Sequence, residues 1–113
     1  MTEIWHNPRC SKSRQTLAIL EERGEDVVVR RYLDDAPDEA TLRAVLTALA
    51  VPPIAIMRKG EKQFKELGLS ADTPDNDLIA AMVAHPILIE RPIVIKDGKA
   101  RIGRPPESVI DIL

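Results

Sequence analysis

Glu3-Ile4-Trp5-His6-Asn7-Pro8-Arg9-Cys10-Ser11-Lys12-Ser13-Arg14 is the stretch on which the fold turns. Residues 3–6 read as a short strand. Asn7-Pro8 breaks it, because proline has no N–H for a ladder and holds the residue before it out of the helical region. A helix begins at the cysteine. Thr16, Leu17, Ile19 and Leu20 put apolar weight on one of its sides, and Gly24 suits the position just past its end. Val27-Val28-Val29, followed by Tyr32-Leu33, is a β-branched run and hence a strand, buried if it pairs in parallel. Strand, helix and strand make a βαβ unit, whose crossover is right-handed.

The remainder divides into a helical stretch and a second strand region. Asp34-Asp35-Ala36-Pro37 reads as a turn and helix start, with Pro37 at the first helical position and Asp38 and Glu39 in the first turn. Leu42, Val45, Leu46 and Leu49 then form an amphipathic stripe, which Pro52-Pro53 stops. A short helical piece carries Phe64, Leu67 and Leu69. Thr73-Pro74-Asp75 opens another helix with Leu78, Ile79, Met82 and Val83, closed by His85-Pro86. Pro92–Lys96 and Lys99–Ile102 are two strands joined by Asp97-Gly98, a strong two-residue hairpin signal. Pro105-Pro106-Glu107 starts a last helix, predicted to turn Val109, Ile110 and Leu113 inward. The predicted class is α/β: a thioredoxin-like βαβ…ββα sheet in a single domain over residues 1–113, with a helical insertion at about 37–86.

The bulk composition narrows the function. The chain has 113 residues, 44% apolar and 30% charged, with a net charge of −2. That is ordinary for a globular domain and gives no global attraction to nucleic acid. One Phe, one Trp and one Tyr are too few for a base-stacking platform. No apolar run approaches the roughly 20 residues that span a bilayer. Met1-Thr2-Glu3-Ile4-Trp5 does not read as a signal peptide, and the lone cysteine fits a reducing compartment, so a cytoplasmic location is expected. Cys10, His6 and His85 are too few for a structural zinc site, and no glycine-rich nucleotide motif occurs. Neither a bound metal nor a bound cofactor is expected.

Cys10 is the only cysteine, so a disulfide at this site needs its second sulfur from another molecule. Its surroundings favour the thiolate, the reactive form of sulfur. Arg9, Lys12 and Arg14 are cationic, His6 lies upstream, and the sulfur sits at a helix start. The helix dipole is worth about 0.3–1 kcal/mol. That is less than one pKa unit, which is about 1.36 kcal/mol. From an ordinary value of about 8.5 the dipole alone would leave most of the thiol protonated, so the added cations matter. Cys10-Ser11-Lys12-Ser13 lacks the second thiol of a C-x-x-C pair. A helix start also binds oxyanions, so the same loop suits an anionic substrate.

Further blocks extend the pattern. Arg58 lies upstream of Lys65-Glu66-Leu67-Gly68-Leu69. His85-Pro86-Ile87-Leu88-Ile89-Glu90-Arg91-Pro92-Ile93-Val94 is followed by Gly103-Arg104-Pro105. Together with the Cys10 segment, these blocks resemble the glutaredoxin-coupled arsenate reductases of the ArsC family, thioredoxin-fold proteins with a helical insertion. The resemblance covers nearly the whole chain.

That resemblance implies a mechanism in which one cysteine suffices. Cys10 matches the nucleophile that attacks arsenic(V) to form a thiol–arsenate ester. Glutathione, a co-substrate, then attacks, leaving arsenic(III) and a mixed disulfide that glutaredoxin resolves. Arg58, Arg91 and Arg104 match the arginines that hold the oxyanion, a task the planar guanidinium suits better than lysine does. His6, Ser13 and Arg14 match residues that support the nucleophile, and Arg91-Pro92 is a candidate cis-peptide. The expected partners are arsenate, glutathione and glutaredoxin, with neither nucleic acid nor membrane. Two other readings share the Cys10 motif: a glutathione-dependent thiol-disulfide oxidoreductase, and a non-catalytic regulatory binding protein of the same superfamily. Ser11-Lys12 replaces the Gly-Thr of better-known members, and longer members carry a C-terminal extension beyond the position of Leu113.

Overall fold

β1 (Thr2–Trp5) pairs in parallel with β2 (Val27–Arg30) and antiparallel with β3 (Ile93–Lys96), which in turn pairs antiparallel with β4 (Lys99–Ile102). The strand order is β2-β1-β3-β4. This is the thioredoxin-like βαβ…ββα sheet expected from the order of elements. The computed structural model describes residues 2–90 and 92–113. The chain divides into two compact units, one of Met1–Asp35 with Arg91–Leu113, the other of Ala36–Glu90.

The first unit is built on the sheet. Ile4 of β1 and Val94 of β3 are cross-strand partners and share a face. They join Leu20 of α1 (Ser11–Glu22) with Val109 and Ile112 in one buried cluster, with Leu17, Ile19, Val27 and Leu113 packed at its margin. Each fully buried apolar side chain contributes about 1.5–3 kcal/mol. Trp5 and Ile93, one residue along and therefore on the opposite face, are also fully buried. The two central strands are thus covered on both sides, which fixes their register.

Turn chemistry ends the elements where the sequence indicates. At the end of α1, the Glu25 N–H bonds to the Leu20 carbonyl and the Gly24 N–H to the Glu21 carbonyl, with Gly24 at φ +72°. This paired arrangement satisfies two carbonyls that the helix leaves open, and it needs a left-handed residue at its centre. Between β3 and β4, Asp97 and Gly98 both have positive φ, as a two-residue hairpin requires.

Two expectations for this unit need correction. Parallel pairing does not bury β2, because it lies at the sheet edge with a strand on one side only; Val28 is 42% and Val29 43% exposed. Tyr32 and Leu33 fall in the turn after that strand. The last helix is a 3-10 helix, Pro106–Ile112, packed on α1 and β4. Three residues per turn place Pro106, Val109 and Ile112 on one buried face. Ile112 therefore takes the inward place expected of Ile110, which is only partly buried.

The second unit is helical. α2 (Glu39–Leu49) begins two residues later than expected. Asp38 caps it, accepting the Thr41 N–H at 2.8 Å, and Pro37 precedes the cap instead of opening the helix. A 3-10 turn (Pro53–Ile56) and α3 (Lys62–Glu66) follow, and then α4 (Asp75–Ala84) with a 3-10 turn at Pro86–Leu88. Leu42, Val45 and Leu46 of α2 and Leu78, Ile79 and Met82 of α4 are buried, and the two helices pack together. Among the described residues, no helix is long and apolar enough to cross a membrane.

Candidate functional site

The residues from Asn7 to Cys10 form a tight turn. The Cys10 N–H donates to the Asn7 carbonyl at 3.0 Å, and the Asn7 side-chain carbonyl accepts the Arg9 N–H at 3.0 Å. Asn at the first position of a turn and Pro at the second are the residues that geometry favours. The turn delivers Cys10 to the N-cap of α1 with extended backbone (φ −94°, ψ 123°), and the Cys10 carbonyl accepts the Arg14 N–H at 3.0 Å. A residue at the N-cap faces the N–H groups of the first helical turn, which have no carbonyl partner within the helix. Cys10 is half-buried.

Ser13 ties the end of β1 to this helix. Its Oγ lies 2.6 Å from Nδ1 of His6 and accepts the Asn7 N–H at 3.1 Å. Ser13 is fully buried and His6 nearly so. The His6 ring is held below its ordinary value of 6.5, chiefly by burial, then by the positive charges of Arg31 and Arg14. Burial and the two cations thus favour the neutral ring. The sequence places His6 among the features that favour a thiolate; the folded chain uses it as a hydrogen-bonding ring rather than as a charge. Arg14 donates from Nη1 to the Pro8 carbonyl at 2.9 Å, which straps the turn from its exposed side.

Arg104 follows β4 and is exposed. Its place is set by Gly103. The Gly103 N–H donates to the Pro92 carbonyl at 2.8 Å. A Cβ on Gly103 would lie 2.6 Å from Thr16 Oγ1 and 2.7 Å from Pro92 Cγ. Glycine thus lets the chain pass close against α1, one turn beyond Ser13, immediately before Arg104. The Arg104–Pro105 peptide is cis. Arg91, and with it the Arg91–Pro92 peptide proposed as cis, lies outside the described residues.

Arg58 belongs to the second unit. Its Nε donates to Glu61 Oε1 at 3.0 Å, and Nη1 lies 4.0 Å from Glu90 Oε1. Backbone bonds hold the segment: the Arg58 N–H to the Leu88 carbonyl at 2.8 Å and the Glu90 N–H to the Ile56 carbonyl at 2.6 Å. Nη1 is buried without a hydrogen-bond partner among the described residues.

The sequence reading missed Arg31. Arg31, Leu33 and Asp34 line a cavity of about 330 Å³ together with His6, Asn7, Pro8 and Arg9. Both contributing loops leave the carboxyl ends of parallel strands, β1 and β2. That is where α/β sheets place their ligand crevices, and the rule would have pointed to residue 31.

The sequence pattern of the ArsC family matches residues 5–112. The chain is 50% identical to the uncharacterized protein YfgD of Escherichia coli K12, across 98% of this chain and 95% of that one. It is 46% identical to an arsenate reductase of Neisseria meningitidis serogroup B, across 98% of this chain and 97% of the relative. A solved arsenate reductase from Vibrio cholerae is similar at a TM-score of 0.94 and 47% identity, covering 99% of this chain and 97% of that one.

Proposed function

We propose, from the premise that this chain belongs to the ArsC family, that it reduces arsenate to arsenite through Cys10, with glutathione and glutaredoxin supplying the electrons. The observation that carries this reading is the position of Cys10 at the N-cap of α1, behind a hydrogen-bonded turn. A helix start favours both a thiolate and a bound oxyanion, the two species that the first step brings together.

The chemistry balances with one protein sulfur. The Cys10 thiolate attacks arsenic(V), and an arsenate oxygen leaves as water after taking up protons. The glutathione thiolate then attacks the Cys10 sulfur. The sulfur–arsenic bond breaks, its electron pair stays on arsenic, and arsenite departs. The two sulfurs have each given up one electron and remain joined as a mixed disulfide, which glutaredoxin reduces by thiol exchange. Arg58, Arg91 and Arg104 are assigned to hold the oxyanion, because guanidinium groups bind paired oxygens through two parallel hydrogen bonds. Ser13, His6 and Arg14 keep the turn in shape around the nucleophile.

The test is arsenate-dependent NADPH consumption coupled through glutathione, glutathione reductase and glutaredoxin. Wild type should turn over only with arsenate and glutathione both present, and Cys10→Ser should fall to background. Arg104→Ala should lower kcat/KM for arsenate, with Arg104→Lys recovering only part. Turnover by Cys10→Ser would refute the nucleophile. Glutathione-dependent disulfide exchange with no arsenate requirement would move the assignment to a thiol-disulfide oxidoreductase.

A further inference from the structure

The cavity beside the Cys10 turn has a charge pattern that the oxyanion chemistry does not use. It is lined by the cationic Arg9 and Arg31, the anionic Asp34, the polar His6 and Asn7, and the apolar Pro8 and Leu33. Among the described residues, Arg9, Arg31 and Asp34 make no side-chain ion pair with one another or with any other group. Two cationic residues and one anionic residue therefore line one space of about 330 Å³ with no ion pair among them. That volume is in the range that holds a small organic ligand. A tetrahedral oxyanion would meet repulsion from Asp34 and leave the apolar wall unused. A ligand carrying carboxylate and ammonium groups on a short uncharged body would match all three charges.

We propose that this cavity seats the thiol co-substrate, a small zwitterionic peptide thiol of the glutathione class. Its carboxylate lies on Arg31 and Arg9, its ammonium on Asp34, and its body against Leu33 and Pro8. This deepens the reading above and rests on it for the identity of the co-substrate. Arg9 precedes Cys10 in the turn, so a peptide held on Arg9 is bound at the residue next to the nucleophile. The cavity thus gives the second step its own binding site. Hydrogen bonds to charged groups at such a site are worth enough to change affinity about tenfold each.

The test uses S-methylglutathione, which binds but cannot react, titrated by calorimetry or NMR into wild type, Arg31→Ala, Arg31→Lys and Asp34→Asn. A second probe is the same compound with its amine acetylated. Arg31→Ala should weaken S-methylglutathione about tenfold, with Arg31→Lys between. Acetylation should weaken binding to wild type but change it little for Asp34→Asn, because the two losses remove the same contact. Equal affinity for wild type, Arg31→Ala and Asp34→Asn, or no binding by folded wild type, would overturn the proposal. The readout does not involve arsenate. Arg31-dependent binding alongside absent arsenate turnover would uphold the thiol site and sink the reductase assignment. Normal turnover with Arg31-independent binding would do the reverse.

Discussion

Ser13 Oγ lies 2.6 Å from Nδ1 of His6, and this contact joins the first turn of α1 to the residue that follows β1. The same oxygen accepts the Asn7 N–H at 3.1 Å, so a single hydroxyl fixes both ends of the turn that presents Cys10. Ser13→Ala would leave the Asn7 N–H and the His6 nitrogen buried without this partner. A buried donor or acceptor left unsatisfied costs about 1–3 kcal/mol. The variant should therefore lose about that much in denaturant unfolding, and its turnover should fall as the turn loosens. A loss below about 0.5 kcal/mol, the range of surface substitutions, would show that the hydroxyl is dispensable.

Acid should weaken the fold in two stages. The His6 ring is held below 6.5 by burial first, then by Arg31 and Arg14. As pH falls below about 6.5 the unfolded chain takes up this proton before the folded chain does, so stability declines there and is flat above. Glu25 is held below 4.5 by hydrogen bonds from Lys96 at 2.6 Å and Thr2 at 2.7 Å. Its contribution is complete above that value and is lost as pH falls through the lower, folded one. Denaturant midpoints from about pH 8 to about pH 3 should show both declines. His6→Gln should remove the first and Glu25→Gln the second. An unchanged slope below pH 6.5 in His6→Gln would reassign the first stage.

The fold was legible where local chemistry and hydrophobic period agree. Gly24, Asp97-Gly98 and the βαβ run in the first 33 residues each sit in the conformation their residue types demand. What escaped was set by neighbours. Val28 and Val29 have the composition of a buried strand, and only the strand order makes them an edge. The place of Ile112 depends on a helix with three residues per turn, which an assumed period of 3.6 cannot show. At the site, Cys10, His6, Ser13 and Arg14 share one short stretch, so their association was readable. Arg31 stands on a separate loop with no motif around it. It becomes visible only when β2 is known to lie parallel beside β1.

Gly103 should tolerate no side chain. A Cβ there would approach Thr16 Oγ1 to 2.6 Å and Pro92 Cγ to 2.7 Å. Both neighbours are constrained. Thr16 is fully buried and donates to the Lys12 carbonyl at 2.8 Å, and Pro92 accepts the Gly103 N–H through its carbonyl. Overpacking of this kind costs about 1–3 kcal/mol. Gly103→Ala should be destabilised by that amount and should also displace Arg104, raising KM for arsenate more than Cys10 alkylation changes. Thr16→Ala in the same chain should recover part of the stability, since it removes one of the two clashes. Wild-type stability in Gly103→Ala would mean that the chain has room to move away from α1.

The C-terminal 3-10 helix gives a prediction in which two neighbouring isoleucines part company. Ile112 joins Val109, Leu20, Ile4 and Val94 in the core of the first unit, whereas Ile110 is only partly buried. Removing a buried isoleucine side chain costs about 2–5 kcal/mol, the transfer loss plus the cavity left behind. Ile112→Ala should fall in that range. Ile110→Ala should cost roughly 1 kcal/mol or less, because its side chain is already partly in water. Denaturant midpoints of the two variants decide the matter. An α-helical end to the chain, with its longer period, would bring the two costs together or reverse their order. The ranking therefore tests the three-residue period itself, and with it the lid that this helix forms over β4 and α1.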